Sequence, residues 1–490
     1  MTPNLSLILL LPLVGLLLVA LAPAENTRLI RRLSTAAVLL AFILSIWVYA
    51  AYDHVAGGFQ FVQNLPWVPA LGISYHLGVD GINSMLLLLL GAVSFAAVLI
   101  SSSIKERVKE YYILLLITVI GTYGAFLSLD VFFFYFFHEV AAVPVFLMIA
   151  IWGSKQRDYA AMKLTLYLAA GAAIALVGLL GLYLFSGAHS FDLMALQNHL
   201  ALHPLPIDVQ NWIFPLIVIG FGITLTLWPF YTWAPVGYAE APTAISMLHA
   251  GVLKKMGAYA IIRFALQLMP QAAHAWMPLI AVLAVVNIIY CGLVALTQRD
   301  MKYLLGYSSC SHMGYILLGL ACFNTMGLNG VVFLMFAHGI MAALAFALTG
   351  YVETQAKTRN MDEWSGLLAC MPFVGTCFIM AALASAGVPG FANFAAEILV
   401  LFGAWDQYRW LTVGAVFGLV ITAIYLMKAI RLGFHGPLNN RLASLRDTRT
   451  MVDKLPYALL LALLILAGCL PAVILTHIST STKTIIESMH

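Results

Sequence analysis

The sequence predicts an all-α polytopic membrane protein with about fourteen transmembrane helices. Of its 490 residues, 63% are hydrophobic and only 9% are charged, and the mean hydropathy is +0.97. These values lie far outside the range of soluble globular domains. Apolar runs of bilayer-spanning length recur along the whole chain, which favours many consecutive helical spans over a single anchor.

The apolar runs predict the spans in order. The first run lacks a basic n-region and a small-residue cleavage site, so it indicates a retained span and not a signal peptide. The twelfth run is unusually long and contains Pro389 and Gly390, which predict a broken helix, and a short surface helix is predicted at 191–202. The predicted spans are 5–21, 34–52, 81–101, 112–127, 131–152, 163–186, 212–230, 243–268, 275–297, 304–322, 326–351, 366–404, 411–428 and 456–475.

The basic residues support this count and give an orientation. Cytoplasmic loops collect lysine and arginine, and most of the 24 such residues fall in the odd-numbered loops. Adding or removing one span would place loops rich in lysine and arginine on both sides of the membrane. The pattern therefore predicts that both termini lie outside the cytoplasm.

The spacing of the spans predicts an internal repeat. Spans 4–8 and spans 9–13 begin at positions offset by about 155 to 175 residues, and an odd number of spans inverts the second unit relative to the first. Pro229 and Pro235 interrupt span 7 as Pro389 interrupts span 12, and paired broken helices point to an ion pathway. The alternative is that these prolines are ordinary kinks. The predicted domains are a three-helix segment at 1–111, repeats at 112–268 and 275–434, and a loop with span 14 at 435–490.

Ionisable residues at mid-membrane are the main functional signal. A lysine at bilayer depth costs about 2.5 to 3.5 kcal/mol, so such groups mark pathways. Strung across several helices, carboxylates, lysines and histidines indicate a proton relay, since each can exchange a proton. The alternatives are lysines that snorkel to an interface and histidines that are hydrogen-bonded core residues. The candidate relay comprises Glu139, Lys254, Lys255, His312, His338 and Glu397.

Four further ionisable residues are interpreted as entry, boundary or capping groups. His249 is a candidate entry group near the lysines, whereas Glu240 and Asp130 are interpreted as boundary or loop residues. Asp80 in GVDGIN is equally consistent with a helix cap and with a working carboxylate. The six cysteines form no CxxC pair, and no glycine-rich nucleotide motif or P-loop occurs, so redox cofactors and nucleotides are expected only in partner chains.

Six segments carry a resemblance to a known family. They are FFFYFFHEVAAVPVFLMIAIWG, WPFYTWAPVGYAEAPTA, HAGVLKKMGAYAIIRF, YSSCSHMGYILLG, PGFANFAAEILVLFG and GVDGIN. Together they resemble the antiporter-like subunits of proton-pumping NADH-quinone oxidoreductase (respiratory complex I), which are related to Mrp-type antiporters and membrane-bound hydrogenases. The resemblance spans about 5–475 and is closest to the subunit M family, since the long extra C-terminal helix of subunit L is absent.

The resemblance implies roles for individual residues. Glu139, Lys255, His312, His338 and Glu397 fall on the family's relay positions. Two inverted five-helix units are each expected to hold a proton half-channel, driven by redox chemistry elsewhere, so that this chain alone is not catalytic. NADH, FMN, iron–sulfur clusters and quinone are expected in partner subunits and none in this chain. The implied partners are the other membrane-arm subunits, especially the other two antiporter-like subunits, and the lipid bilayer, with no nucleic acid; the implied location is the bacterial inner membrane, with both termini periplasmic.

One position departs from the family pattern. The lysine that the family carries in the broken seventh span, as partner of the span-5 glutamate, falls on Thr224. Threonine cannot hold a charge, so we hypothesise that Lys254 replaces it as partner of Glu139, since Lys254 and Lys255 point about 100° apart on a helix. His138, at a position that is usually aromatic, is a candidate member of the same rearrangement.

Three alternatives remain open from the sequence. The chain could serve an Mrp-type cation/proton antiporter, a membrane-bound hydrogenase, or a complex in which it is a non-pumping structural copy. Neighbouring genes for iron–sulfur and flavin subunits would favour the oxidoreductase, and a run of small antiporter subunits would favour the antiporter.

Overall fold

A computed structural model describes residues 3–489, and it places a helix or a pair of half-helices at each predicted span. Ten helices in the described range are long and apolar enough to cross a membrane, and three shorter apolar helices complete broken or terminal spans. Keeping the numbering of the prediction, the spans are Ser6–Leu21 (1), Thr27–Ala51 (2), Gly81–Ile100 (3), Val108–Leu127 (4), Val131–Trp152 (5), Arg157–Ser186 (6), Ile207–Thr224 with Trp233–Glu240 (7a and 7b), 243–266 (8), Pro270–Thr297 (9), Met301–Leu320 (10), Thr325–Ala356 (11), Pro372–Ser385 with Ala392–Trp405 (12a and 12b), Arg409–Gly433 (13) and Met451–Cys469 (14).

Spans 3, 8, 10 and 11 form the centre of the bundle. The apolar window of span 11 is entirely buried, and that of span 3 is 83% buried, whereas only 39% of the window of span 5 is buried. Span 8 and span 10 are buried along nearly their whole length. The predicted relay residues on spans 8, 10 and 11 therefore lie inside the protein and away from lipid.

The two groups of five spans pack in the same way. Span 4 packs along span 5 as span 9 packs along span 10, and span 6 packs on span 7a as span 11 packs on span 12b. Asp130 caps the start of span 5 and pairs through its backbone with Asp192, while Asp300 caps the start of span 10 and pairs with Asn360. These equivalent caps lie at opposite ends of the bundle, as expected for inverted units.

Both broken spans unwind where the sequence predicts. Helix 7a ends at Thr224, and the indole of Trp233 donates to the carbonyl of Ile223, so a carbonyl freed by the break finds a partner at bilayer depth. Helix 12a ends at Ser385, and the chain passes through Gly387 at φ +69° before helix 12b begins. Positive φ costs glycine little, so the turn is open to it and strained for other residues.

Span 8 departs from a regular helix. Two π-helical stretches, His249–Leu253 and Ile261–Leu266, interrupt the α-helical turns on either side of Lys255–Ala260. Each π turn inserts an extra residue and rotates the side chains that follow. The directions of Lys254 and Lys255 are therefore set by a feature that apolar periodicity does not reveal.

Two features at the face opposite the basic loops differ from the prediction. An antiparallel hairpin of β1 (Gln60–Val68) and β2 (Ile73–Val79) covers this face between spans 2 and 3, where no strand was predicted. Span 14 was predicted at 456–475, which is wrong at its end. The helix stops at Cys469 because Pro471 cannot continue it, and a second helix, Pro471–Glu487, packs against spans 3 and 11. The predicted surface helix is present at Leu193–Leu202.

Candidate functional site

The two adjacent lysines of span 8 lie at the centre of the candidate site. Both side chains are fully buried. Lys255 Nζ lies 2.5 Å from the carbonyl oxygen of Ala250 and 2.9 Å from His338 Nδ1, whereas Lys254 Nζ points to Ser309, 2.5 Å from its Oγ and 3.1 Å from its carbonyl oxygen. The lysines therefore face different helices, and neither snorkels to an interface.

Ser309 connects the two lysines through a histidine. Its Oγ lies 3.1 Å from His338 Nε2, so Lys255, His338, Ser309 and Lys254 form one continuous hydrogen-bonded chain. Ser309 was not predicted as a relay residue, because a single serine among apolar residues has no distinguishing pattern. The polar YSSCSH segment, which contains it, is the feature of the sequence that could have indicated it.

A second histidine extends this chain toward the broken span 12. The rings of His312 and His338 are 5.4 Å apart between centroids. His312 Nε2 lies 3.0 Å from Ser385 Oγ, at the last residue of helix 12a, and His312 Nδ1 lies 3.1 Å from Glu397 Oε1 on helix 12b. His312 thus bridges both halves of the broken helix.

The break itself makes room for the carboxylate. A Cβ on Gly387 would lie 3.0 Å from Glu397 Oε2, so the glycine leaves the space that this oxygen needs. Neither carboxylate oxygen of Glu397 has an aligned hydrogen-bond donor, although both are buried. A fully buried carboxyl group beside a histidine is a suitable end point for a proton.

A small cavity adjoins the centre of the chain. It has a volume of about 10 Å³ and is lined by Ser308, Ser309 and His338 together with apolar residues of spans 10 and 11. That volume is close to the minimum for one water molecule, and the polar lining supplies partners for it. Water at this position can relay protons without a change in the fold.

We call the set Lys254, Lys255, Ser309, His312, His338, Ser385 and Glu397 the central network. Five of the six predicted relay residues are brought together in it: Lys254, Lys255, His312, His338 and Glu397. All of its charged groups and histidines are at most 1% exposed. It joins spans 8, 10, 11 and 12 in one polar path through the apolar interior.

Glu139 lies apart from this network. Its side chain is 36% exposed, and its Oε1 lies 3.0 Å from Nδ1 of the buried His138. Glu139 shares an outward face of span 5 with Phe136 and Val143, which are also exposed. Glu139 was predicted at the same membrane depth as the other relay groups, and in this chain it lies on a partly exposed face of span 5, whereas those groups are buried.

The hypothesised pair between Lys254 and Glu139 is not formed. Lys254 Nζ is directed to Ser309 on span 10 and lies 5.5 Å from the centre of the Tyr238 ring, and Glu139 has only His138 within ion-pair distance. The π turn before Lys254 contributes to this direction because it shifts the side chains of span 8. Thr224, at the end of helix 7a, is buried.

His249 occupies an aromatic pocket and not the hydrogen-bonded chain. Its ring centroid lies 5.2 Å from that of Trp233 and 5.4 Å from that of Tyr238, and its Nδ1 has no hydrogen-bond partner in the described residues. His249 is therefore close to the break in span 7. Its imidazole makes no hydrogen bond with the side chain of either lysine, and among the described residues only the backbone carbonyl of His249 is bonded to one of them, Lys254.

An ion cluster at the basic face holds the two repeats together and was not predicted. Arg359, after span 11, contacts Asp300 at 2.8 Å and Glu240 at 2.9 Å, and it also donates to Ser154 Oγ. Glu240, interpreted from sequence as a boundary residue, thus anchors the end of helix 7b to the second repeat.

The two equivalent caps differ in their charge environment. Burial raises the pKa of Asp130 to about 6, and Asp130 makes no ion pair in the described residues. Burial also raises the pKa of Asp300, although the adjacent Arg359 opposes this shift. Only the second repeat therefore supplies a cation to its cap.

Asp80 combines the two roles that the sequence left open. It caps span 3 through the backbone amides of Ile82 and Asn83, and it forms a buried ion pair with Arg263 at 2.5 Å. Arg263 lies in the π-helical stretch that ends span 8. This pair fixes the end of span 8 to the start of span 3.

A family comparison agrees with this architecture. The model of the family described as NADH:quinone oxidoreductase/Mrp antiporter, transmembrane, matches residues 128–422, which contain most of both repeats and the whole central network. The chain belongs to this family.

Individual relatives cover nearly the whole chain. NADH-quinone oxidoreductase subunit M of Rickettsia bellii is 32% identical over 99% of this chain and 98% of its own length. NAD(P)H-quinone oxidoreductase chain 4 2 of Thermosynechococcus vestitus is 36% identical over 89% of this chain and 82% of its own. Among solved structures, a chain of respiratory complex I from Thermus thermophilus with bound NADH superposes with a TM-score of 0.91 at 26% identity, covering 99% of this chain and all of that one.

Proposed function

We propose that this family member is a proton-translocating membrane subunit of an NADH-quinone oxidoreductase. The observation that carries the proposal is the unbroken hydrogen-bonded chain from Lys255 through His338 and Ser309 to Lys254, buried in the membrane interior. Intramembrane ionisable groups are costly and are found where ions or protons move. Relatives along nearly the whole length are named as subunits of that oxidoreductase.

The geometry allows a proton to pass between the lysines. When Lys255 gives a proton to His338 Nδ1, the imidazolium can release the proton on Nε2 to Ser309 Oγ. Ser309 in turn passes its hydroxyl proton to a neutral Lys254. Each step breaks one N–H or O–H bond and forms another, and the serine and histidine are returned to their neutral states.

The path continues through His312 to the carboxyl group of Glu397. Its ring lies between His338 and Glu397, so a reorientation of the imidazole or one water molecule would bridge the remaining gap. A charge arriving at Lys254 or Lys255 changes the proton affinity of its neighbours by electrostatic repulsion. A conformational or electrostatic signal from outside the chain can therefore bias the direction of transfer.

The proposal includes a cellular setting. The chain is placed in the bacterial inner membrane with both termini periplasmic, because the basic loops lie on one face. Other membrane-arm subunits are its partners, and the redox groups reside in other subunits. The chain itself then acts as a translocation module and not as the site of NADH oxidation.

Proton translocation by the intact complex tests the proposal. In proteoliposomes, Lys255→Met should lower the rate of NADH-driven proton uptake by about 100-fold or more, since it removes a group that carries the proton. Lys454→Met is the matched control, because Lys454 lies near the start of span 14, stacked on the Phe373 ring, outside the network. Normal proton uptake by Lys255→Met would reject the proposal.

A second candidate function is sodium/proton exchange, since the matching family model includes Mrp antiporters. It predicts that proton flux through the chain requires a sodium gradient and no NADH. Flux measured with and without sodium separates the two functions. A non-pumping structural copy is tested by Lys254→Ala, because an unchanged proton-to-electron ratio would show that the network carries no protons.

A further inference from the structure

A deep pocket at the basic face lies outside the central network. Its volume is about 740 Å³, and its walls are formed by the ends of spans 2, 3, 4 and 11, the start of span 14 and the loop before span 14. This volume is in the range of pockets that hold small organic ligands. Because helices begin and end around it, the pocket lies at the level of the lipid headgroups.

Three arginines line this pocket: Arg31, Arg446 and Arg449. The side chains of Arg446 and Arg449 are exposed and make no hydrogen bond or ion pair in the described residues. Arg31 donates from one terminal nitrogen to the carbonyl of Ile104, but its Nε is buried and has no partner. Free guanidinium donors therefore converge on one cavity.

The two carboxylates of the pocket are occupied elsewhere. Asp447 accepts from the backbone amides of Phe373 and Val374 at the start of helix 12a. Asp453 forms a capping box with Thr450 at the start of span 14. Because their oxygens serve as helix caps, they do not pair with the arginines, and the cavity keeps an excess of positive charge.

The remaining lining includes apolar residues of spans 3 and 14 beside polar ones such as Thr35, Ser102 and Gln355. Val98 and Leu99 line one wall, and Val452, which is 68% exposed, lies at the rim. Met451 beside it is 83% exposed. Arginine side chains next to exposed apolar residues at the rim are complementary to an amphiphile that has an anionic head and a hydrocarbon tail.

A tyrosine fixes the loop that carries two of the arginines. Tyr351 donates to the carbonyl oxygen of Arg446 at 3.0 Å, and its ring packs against Tyr457 at a centroid distance of 6.2 Å. The loop is thereby held at the mouth of the cavity. The arginines are positioned by the fold before any ligand binds.

We propose that this pocket binds an anionic phospholipid, with the headgroup phosphate held by Arg31, Arg446 and Arg449 and an acyl chain along the apolar rim. Arginine is suited to this role because its fork of donors matches phosphate oxygens. The pocket shares no residue with the central network. A test of lipid binding is therefore independent of a test of proton translocation.

Binding to the purified full-length chain in detergent tests the site. After delipidation, fluorescent phosphatidylglycerol should bind the wild type, and each of Arg446→Gln and Arg449→Gln should weaken it by about fivefold. Arg441→Gln is the matched control, since Arg441 is exposed in the same loop and does not line the pocket. Equal melting temperatures of the three variants would exclude unfolding as the cause.

Two further ligands separate the sources of the same chemistry. Phosphatidylcholine should bind more weakly than phosphatidylglycerol and be little affected by the substitutions. Inorganic phosphate alone should bind far more weakly, because it lacks the apolar tail. Three results would each overturn the proposal. They are unchanged phosphatidylglycerol binding by a variant that carries both Arg446→Gln and Arg449→Gln, wild-type binding of phosphatidylcholine as tight as that of phosphatidylglycerol, and binding of inorganic phosphate as tight as that of the lipid.

Discussion

The two halves of this molecule share one packing scheme and differ in their cations. In the second half, Asp300 has Arg359 beside it and Glu397 contacts His312 in a fully buried network. In the first half, Asp130 has no cation, and Glu139 is half-exposed beside His138. The repeat therefore provides the scaffold twice, and the buried polar path is formed by the second half together with the two lysines that span 8 contributes from the first.

This difference has a physical consequence. A buried path must supply a partner for each charge that passes, because the surrounding hydrocarbon cannot. Span 8 of the first half and spans 10, 11 and 12 of the second half supply these partners together. The first half, in which Thr224 occupies the position of the family lysine, leaves its carboxylate directed toward the outside of the bundle.

The largest expected effect comes from removing the cation of the second half. Arg359→Gln should destabilise the chain by about 3 kcal/mol, because it leaves Asp300 and Glu240 without their shared partner. Unfolding in mixed micelles measures this. Arg299→Gln, which removes an exposed pair with Asp362, should cost at most about 1 kcal/mol. Equal effects of the two substitutions would mean that the cluster does not bind the repeats together.

This prediction also shows what the sequence could supply. The spans, both helix breaks and most of the network followed from apolar runs, from Pro229, Pro389 and Gly390, and from the depth of the ionisable residues. The cluster around Arg359 did not follow, because it joins loops far apart in the chain. Its carboxylates are ordinary helix-end residues when viewed in the sequence alone.

The directions of side chains were also beyond the sequence. Ideal helical geometry separated Lys254 from Lys255, but it could not place Lys254 against Ser309, because the π turn at His249–Leu253 has no signature in an apolar run. The same limit applies to Glu139, whose outward direction depends on how span 5 packs. The depth of a residue in the membrane follows from its position within its own apolar run. The direction of its side chain depends on how that helix packs against the others.

A pH-dependent effect should be larger for the cap of the first half than for the cap of the second, where Arg359 opposes the rise in the pKa of Asp300. Burial raises the pKa of Asp130 to about 6, above the unfolded value of about 3.9, so the folded chain holds more protons between those values. Stability should therefore be highest below about pH 4 and fall by about 3 kcal/mol as pH rises through 6. Asp130→Asn, which keeps an oxygen for the helix cap, should remove this fall.

The control for this measurement is Asp406→Asn, since Asp406 is exposed at the end of helix 12b. It should retain the wild-type difference in stability between pH 4 and pH 7. If Asp130→Asn shows the same pH dependence as the wild type, the two caps do not differ in the manner described.

A smaller effect concerns access to the two glutamates. A lipid-soluble carbodiimide should modify Glu139 about tenfold faster than Glu397, because the first is 36% exposed and the second 1% exposed. Mass spectrometry of peptides from the full-length chain gives both rates, and Glu139→Gln identifies the first signal. Faster modification of Glu397 would reverse the comparison between the halves.

The most direct test of the central claim is the role of Ser309. Its hydroxyl joins Lys254 to His338, whereas Ser311 on the same helix bonds only the carbonyl of Ile288. In proteoliposomes of the intact complex, Ser309→Ala should lower the proton-to-electron ratio, and Ser311→Ala should leave it unchanged. A wild-type ratio in Ser309→Ala would contradict the proposal that protons cross the membrane interior along this chain of side chains.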